Sequence, residues 1–263
     1  MPDILSNTIK KIKPLDEEAM AQARARQDIL TKPPGSLGRL EELSIQLAGI
    51  QGRPIPQIRQ KAIITMAGDH GVVAEKIGNW PQDVTAQMVY NFLRGGAGIN
   101  AISRQVGARV VVVDMGVATE LKPDPQLISK KIGPGTRNMA LGPAMTIEQA
   151  KKAIEAGIEL VITEATKGLD IVGTGDMGIG NTTASSAICA VITGKPVNEV
   201  TGRGTGLADE QLTHKVEVIK RALTVNNPDP TQPLDVLAKV GGFEIGGLAG
   251  VMLGAAAYRI PVA

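Results

Sequence analysis

Short apolar runs at residues 61–67, 109–114 and 169–172 are separated by segments of helical spacing, and this alternation constrains the fold more than any other feature. The runs Lys61-Ala62-Ile63-Ile64-Thr65-Met66-Ala67, Arg109-Val110-Val111-Val112-Val113-Asp114 and Leu169-Asp170-Ile171-Val172 are too short and too branched for helices and read as buried strands. Strands alternating with helices imply a parallel sheet with right-handed crossovers. Such sheets bind ligands beyond the carboxyl ends of their strands. Attention therefore falls on the residues that close each run: Gly68-Asp69-His70-Gly71, Asp114-Met115-Gly116, and the glycine-rich stretch 173–183.

Ahead of the first run, residues 16–30 read as a helix, with acids in its first turn and arginines further along, as the helix dipole favours. It stops at Thr31-Lys32-Pro33-Pro34-Gly35. A second helix is expected from after Ser36 to about Gln51, with Leu40, Leu43, Leu47 and Ile50 on one face. No strand separates the pair, so residues 1–58 are expected to form a small helical subdomain and residues 59–263 an α/β domain.

Residues 80–93 open and carry the next helix, and a further short helix leads into the second strand. Residues 118–144 are long, irregular and rich in Pro and Gly; loops of this length in a compact domain are functional or disordered. Arg137 in this loop is either an anion contact or a solvated side chain. Thr146-x-x-Gln149 is a capping box that starts a helix to about Lys167. Residues 183–192 read as a helix and 194–198 as a loop. Gly202-Arg203-Gly204-Thr205-Gly206-Leu207 makes a second glycine-rich turn before a helix over 208–225. Prolines 228, 230 and 233 precede a helix near 234–239, and a glycine-studded core helix starts at Glu244. Residues 259–263 read as the start of another parallel strand, an odd stopping point for an α/β sheet.

Composition narrows the function. The chain has 263 residues, enough for a large core, with 43% hydrophobic and 21% charged residues, the balance of a soluble globular protein. With 28 basic against 26 acidic residues, charge gives no argument for a nucleic-acid or membrane partner. Aromatic residues are only 2%, so a stacking surface for single strands is not expected and a planar ligand must sit mainly against aliphatic walls. The single cysteine, Cys189, excludes an internal disulfide; it falls in an Ala-rich helix and reads as a small buried apolar residue. The N-terminus lacks an apolar signal segment, and the apolar run 245–258 is short and broken by glycines, so a cytoplasmic location is expected.

The stretch Gly173-Thr174-Gly175-Asp176-Met177-Gly178-Ile179-Gly180-Asn181-Thr182-Thr183 reads as a glycine loop between a strand and a helix start. Its glycines allow sharp turns and close backbone approach, and the open N–H groups of a first helical turn favour an anion such as phosphate. Gly173-x-Gly175-x-x-Gly178 fits the dinucleotide fingerprint, but the surroundings of Glu199 do not read as the acid-terminated second strand it requires. Gly175-x-x-x-x-Gly180-Asn181-Thr182 fits the P-loop except that Asn181 replaces the lysine, which argues against a nucleoside triphosphatase. His70 and His214 are the two histidines, and no ligand stands at metal spacing from His70. His70 either shapes its loop or contacts a ligand; His214 and Lys215, on a charged helix, read from the residues alone as exposed.

Several of these stretches together resemble the nicotinate-nucleotide–dimethylbenzimidazole phosphoribosyltransferases. They are Lys32-Pro33-Pro34-Gly35-Ser36-Leu37-Gly38, Ala67-Gly68-Asp69-His70-Gly71-Val72, Pro81-Gln82-x-Val84-Thr85-Ala86-Gln87-Met88, Gly135-Thr136-x-Asn138, Asp176-Met177-Gly178-Ile179-Gly180-Asn181-Thr182-Thr183 and Gly202-Arg203-Gly204-Thr205-Gly206. In matching order across nearly the whole chain, they are more specific than either nucleotide fingerprint.

The resemblance implies a Rossmann-like parallel sheet with flanking helices, a small N-terminal helical subdomain, and a homodimer. It implies transfer of phosphoribose from nicotinate mononucleotide to a benzimidazole-type base, without cofactor or metal, giving an α-riboside phosphate for cobalamin assembly and free nicotinate. By resemblance, Gly178, Gly180, Asn181, Thr182, Thr183 and Lys215 hold the phosphate, and Asp176 holds the ribose. Gln87 with Trp80 and Val84 lines the slot for the base. Asp69, His70, Arg203 and Gly204 complete the expected substrate-binding set. Many relatives carry Glu where this chain has Asp176, a shorter arm with the same charge. The family's general-base glutamate is expected beyond Ala263, so no catalytic residue is expected within these 263 residues, and weak or no turnover is expected of them. The resemblance favours the transferase over a non-catalytic mononucleotide-binding module and over a nicotinamide-dependent oxidoreductase.

Overall fold

The structure, a computed structural model, describes residues 3–263. Strands β1 (Lys61–Gly68), β2 (Ala108–Gly116), β3 (Leu127–Ser129) and β4 (Ile171–Met177) form one parallel sheet in the order β3-β2-β1-β4. The helices before it are α1 (Ile4–Lys11), α2 (Glu17–Ile29) and α3 (Arg39–Gln51); α4 (Val84–Leu93) and α5 (Gly98–Val106) connect β1 to β2. Helix α6 (Ile147–Thr166) leads into β4, followed by α7 (Asn181–Thr193), α8 (Val197–Val200), α9 (Asp209–Asn226), α10 (Pro233–Val240) and α11 (Phe243–Ala257).

Because successive strand side chains point to opposite faces, β1 serves two cores. Ala62, Ile64 and Met66 face one cluster with Val111, Val113 and Met115 of β2, covered by α6 and α11. Ala67 and Val112 face the other, with Ala86, Val89 and Phe92 of α4. Truncating Ile64, fully buried at the centre, would cost about 2–5 kcal/mol. A third cluster joins α7, α9 and α10 through Ala187, Ile219 and Val236. It buttresses the elements beyond the carboxyl end of β4.

Helices α6 and α11 meet at glycine. A Cβ on Gly157 would stand 1.9 Å from the carbonyl oxygen of Gly247, and one on Gly250 would stand 1.9 Å from that of Ile154. The glycines of α11 are therefore a packing surface, which fixes the helix across the sheet. Thr146 and Gln149 form the expected capping box at the start of α6, with bonds of 3.1 and 3.0 Å.

The structure corrects several expectations. Gly173 and Gly175 lie within β4, paired with Ile63 and Thr65, so the turn is confined to residues 178–180. Residues 4–11 form a helix, residues 197–200 form a helix where a loop was expected, and β3 interrupts the irregular stretch. Leu40 and Leu43 are exposed at 64% and 42%; α3 instead packs on α2 through Ala48 and Gly49. Cys189 is half-buried rather than buried. At the other end, the expected parallel strand begins: Val262 bridges Val172, with the Ala263 amide donating to the Val172 carbonyl at 2.9 Å.

Candidate functional site

Lys215 is the least expected side chain of the site. It leaves the second turn of α9 and is 2% exposed, not the solvated lysine its charged helix implies. Its Nζ donates to Thr182 Oγ1 at 2.8 Å and to the Gly202 carbonyl at 3.4 Å, both neutral oxygens. Burial holds its pKa below the usual lysine value. A buried ammonium without a counter-charge is costly, and an incoming anion would relieve that cost.

The lysine opens on a cavity of about 280 Å³ lined also by Gly178, Gly180, Asn181, Thr182, Arg203, Gly204 and Trp80. Gly180 adopts a left-handed conformation, φ 95°, and a Cβ there would lie 2.9 Å from Val73, so only glycine turns β4 into α7 at this point. The amides of the first turn are less open than the sequence implies. Asn181 N donates to Gly178 O at 3.0 Å, Thr183 N to Gly180 O at 2.9 Å, and Thr182 N to its neighbour Asn181 Oδ1 at 2.8 Å. The Asn181 side chain is the exchangeable one of these acceptors, so Lys215 and the Thr182 amide and hydroxyl are the groups that can meet an anion. Thr183, in contrast, is fully buried with its hydroxyl unpartnered.

Asp176 is exposed at the carboxyl end of β4 and accepts from Asn181 Nδ2 at 2.6 Å. Arg203 lines the cavity, but its guanidinium is held by the Leu207 carbonyl at 2.8 Å and by Asp209. It therefore shapes the wall. Trp80, 54% exposed, stands at the cavity rim. Val84 is half-buried and Gln87 exposed on α4, and neither lines the cavity itself. Thr85, between them, ties α4 to the loop by accepting from the Ile179 amide at 3.0 Å.

Asp69 and His70 lie beneath this surface, 2% and 1% exposed. Asp69 Oδ2 accepts from the Ala118 amide at 2.7 Å, and its carbonyl accepts from Thr136 N at 2.9 Å, which pins the long loop to the end of β1. Burial pushes its carboxyl pKa up, against the Ala118 bond. His70 Nε2 pairs with Glu244 Oε1 at 2.7 Å. Glu244 was missed by sequence reasoning, although an acid opening an apolar, glycine-rich helix is a signal that it needs a buried partner. His214 is exposed, as read, and its Nε2 meets the Glu75 carbonyl at 2.7 Å. Among the described residues no group of three or more His, Cys, Asp or Glu could hold a metal ion.

The arrangement is a cation at the floor of a small cavity, hydroxyl and amide donors at its wall, an exposed carboxylate nearby and an indole at the rim. Residues 12–263 match the phosphoribosyltransferase family. A nicotinate-nucleotide–dimethylbenzimidazole phosphoribosyltransferase of Dehalococcoides mccartyi is 62% identical over 260 residues, covering 99% of this chain and 74% of that protein. The chain belongs to this family.

The same-named protein of Desulforudis audaxviator is 60% identical, again over 74% of its length. The crystal structure of CobT from Thermus thermophilus superposes with a TM-score of 0.89 at 46% identity, covering 93% of this chain and 73% of that one. The chain is accordingly a phosphoribosyltransferase, a pentosyltransferase with an α/β fold built on a parallel sheet. The dinucleotide reading falls with the loop that carried it, because Gly173 and Gly175 are strand residues. No helix among the described residues is long and apolar enough to cross a membrane.

Proposed function

We propose that this chain transfers the phosphoribosyl group of nicotinate mononucleotide to 5,6-dimethylbenzimidazole, giving α-ribazole 5'-phosphate and nicotinate; the names of its relatives give a nicotinate nucleotide and dimethylbenzimidazole as the pair that they act on. The observation that carries the reading is Lys215, a buried cation with only neutral partners beside the Gly178–Asn181 turn. A cavity of about 280 Å³ suits a phosphoribosyl group, and the buried ammonium supplies the charge it lacks.

In this reading Lys215 and Thr182 hold the phosphate, with Gly178, Gly180, Asn181, Arg203 and Gly204 forming the walls. Asp176, steadied by Asn181, accepts from a ribose hydroxyl, and Trp80 with Val84 and Gln87 flanks the incoming base. The chemistry asks little more than positioning. The C1′–N bond of the pyridinium nucleotide breaks with its electron pair returning to the ring nitrogen, so nicotinate leaves without a metal. One benzimidazole nitrogen attacks C1′ from the opposite face while the proton on the other passes to solvent, no general base being assigned among these residues. Inversion yields the α-riboside.

The test is the reaction itself, followed by chromatography with mass detection. Nicotinate and the α-riboside phosphate are expected in equal amounts, only when both substrates are present, and with weak turnover, because the resemblance assigns no general base among these residues. Binding of the mononucleotide with no nicotinate released would instead make the chain a mononucleotide-binding module. The resemblance further supports a cytoplasmic homodimer, for which light scattering after gel filtration should give twice the 27.5 kDa chain mass.

A further inference from the structure

Directly beneath the Gly178–Asn181 turn lies an ion pair that takes no part in lining the cavity. His70 Nε2 and Glu244 Oε1 are 2.7 Å apart, with side chains 1% and 0% exposed. Two ionisable groups taken fully out of water are no efficient source of stability, because desolvation consumes what their attraction returns. Their surroundings point to another use. The imidazole is packed against glycine backbone on several sides. A Cβ on Gly178 would lie 3.3 Å from its Cδ2, one on Gly180 would lie 3.3 Å from its Cβ, and one on Gly242 would lie 2.5 Å from its Cε1. The ring thus fills the space between the turn and the start of α11. Glu244 continues the stack, since a Cβ on Gly68 would stand 2.6 Å from its Oε2, and that oxygen has no hydrogen-bond partner. Gly178 itself rests on the end of β1: its Cβ position is 2.1 Å from the Gly68 carbonyl oxygen.

Charge adds to the packing. The groups that face His70 are Glu244 from α11, Asp69 from the end of β1 and Asp176 from the end of β4. Burial opposes the imidazolium, but the charge and hydrogen bond of Glu244 outweigh it, with Asp69 and Asp176 adding, so the His70 pKa stands above its ordinary value. The surface above must accept an anion while carrying the carboxylate of Asp176. A cation immediately below offsets that carboxylate and holds the turn in place.

We propose that His70, clamped by Glu244, is a positioning residue: its imidazolium sets the Gly178–Asn181 turn for an anionic phosphoribosyl ligand that it does not touch. The proposal rests on the phosphoribosyl reading above. It requires affinity for nicotinate mononucleotide to fall as pH rises through the His70 titration.

The experiment combines ring-nitrogen NMR of His70 with calorimetric titration of nicotinate mononucleotide over the same pH range. Since the chain has only two histidines, H214N leaves His70 as the sole imidazole signal. The expected result is a His70 midpoint above the ordinary value of about 6.5, coinciding with the midpoint in log Kd. E244Q should lower both midpoints together, and H70Q should remove the pH dependence and weaken binding about fivefold or more, equivalent to roughly 1 kcal/mol. A purely structural role would leave the midpoint in log Kd unmoved in E244Q. Affinity that is flat across the His70 titration in the native chain overturns the proposal without any variant. Absence of binding at every pH overturns the phosphoribosyl reading and this proposal with it, whereas normal binding with an unrelated pH profile overturns this proposal alone.

Discussion

At the scale of single residues, the proposed phosphate role of Lys215 would set stability against binding. Its Nζ is buried against a hydroxyl and a carbonyl, and burial lowers its pKa. A lowered lysine pKa means the charged form is disfavoured in the folded state. The cost is therefore fully present below the folded pKa and fades as pH rises toward the unfolded value of about 10.4. Lys215→Met keeps the volume and removes the charge. The ligand-free variant should melt at the same temperature as the native protein or higher, by scanning calorimetry, while inorganic phosphate should raise Tm in the native protein only. A variant that melts several degrees lower would mean that Lys215 is a structural lysine. Glu164 is the opposite case. Burial opposes its charged form, but Lys167 at 2.6 Å and Arg109 at 2.8 Å outweigh that and hold its pKa below the usual value. Its partners are half-exposed, so E164Q should cost about 1–3 kcal/mol in urea unfolding at pH 7, a cost that shrinks as pH falls below the unfolded value of about 4.3 and through the lower folded one.

At the scale of elements, the glycines divide into those that turn the chain and those that let helices touch. Gly180 turns it at φ 95°. Gly180→Ala should cost about 1–2 kcal/mol in strain and disturb the turn that leads into α7, so ligand affinity should fall further than stability. Gly250 belongs to the second kind. Its Cβ position is 1.9 Å from a backbone carbonyl, so no side chain can yield, and Gly250→Ala should destabilise the protein by about 3 kcal/mol or more while mononucleotide affinity per folded molecule stays unchanged.

This division explains what was legible in the sequence. The strands at residues 61–68 and 108–116 were readable because a buried parallel strand is a run of branched apolar residues. Most of β4 was not, because Gly173, Thr174 and Gly175 carry no such pattern; their ladder to β1 and the close approach of Ile63 select them. β3 is only three residues long and takes its place from the edge of β2. Helix α1 lacks the charge pattern of α2; it is held by the docking of Ile4 and Leu5 on the main core, which local sequence does not announce. At the site, the turn and Thr182 were legible as motif. The burial of Lys215 and the partnership of His70 with Glu244, separated by 174 positions, were not, because both depend on tertiary packing.

At the scale of the whole molecule, the sheet brings a cation-floored cavity and its support to one edge. β1 and β4 end side by side; α7 and α9 carry Thr182 and Lys215 above them, and α11 passes beneath with Glu244. Bound ligand should therefore stabilise the molecule globally, since α7, α9 and α10 share one core. Acid should act at separate places. Asp170, which accepts from the Arg59 and Gln60 amides at 2.7 and 2.8 Å, and Glu164 both have lowered pKa values. Their contribution is present above the unfolded values of about 3.9 and 4.3 and is lost as pH falls through the folded ones. Thermal unfolding should show Tm falling most steeply below about pH 4.

If Lys215 and the adjoining glycine turn form the phosphate site, mononucleotide binding must depend on that ammonium. The direct measurement is calorimetric titration of nicotinate mononucleotide into the native chain and into Lys215→Met at pH 7. The native protein should bind one equivalent per chain, and the variant should bind at least tenfold more weakly while unfolding as cooperatively as the native protein. Equal affinity in the two proteins would contradict the assignment.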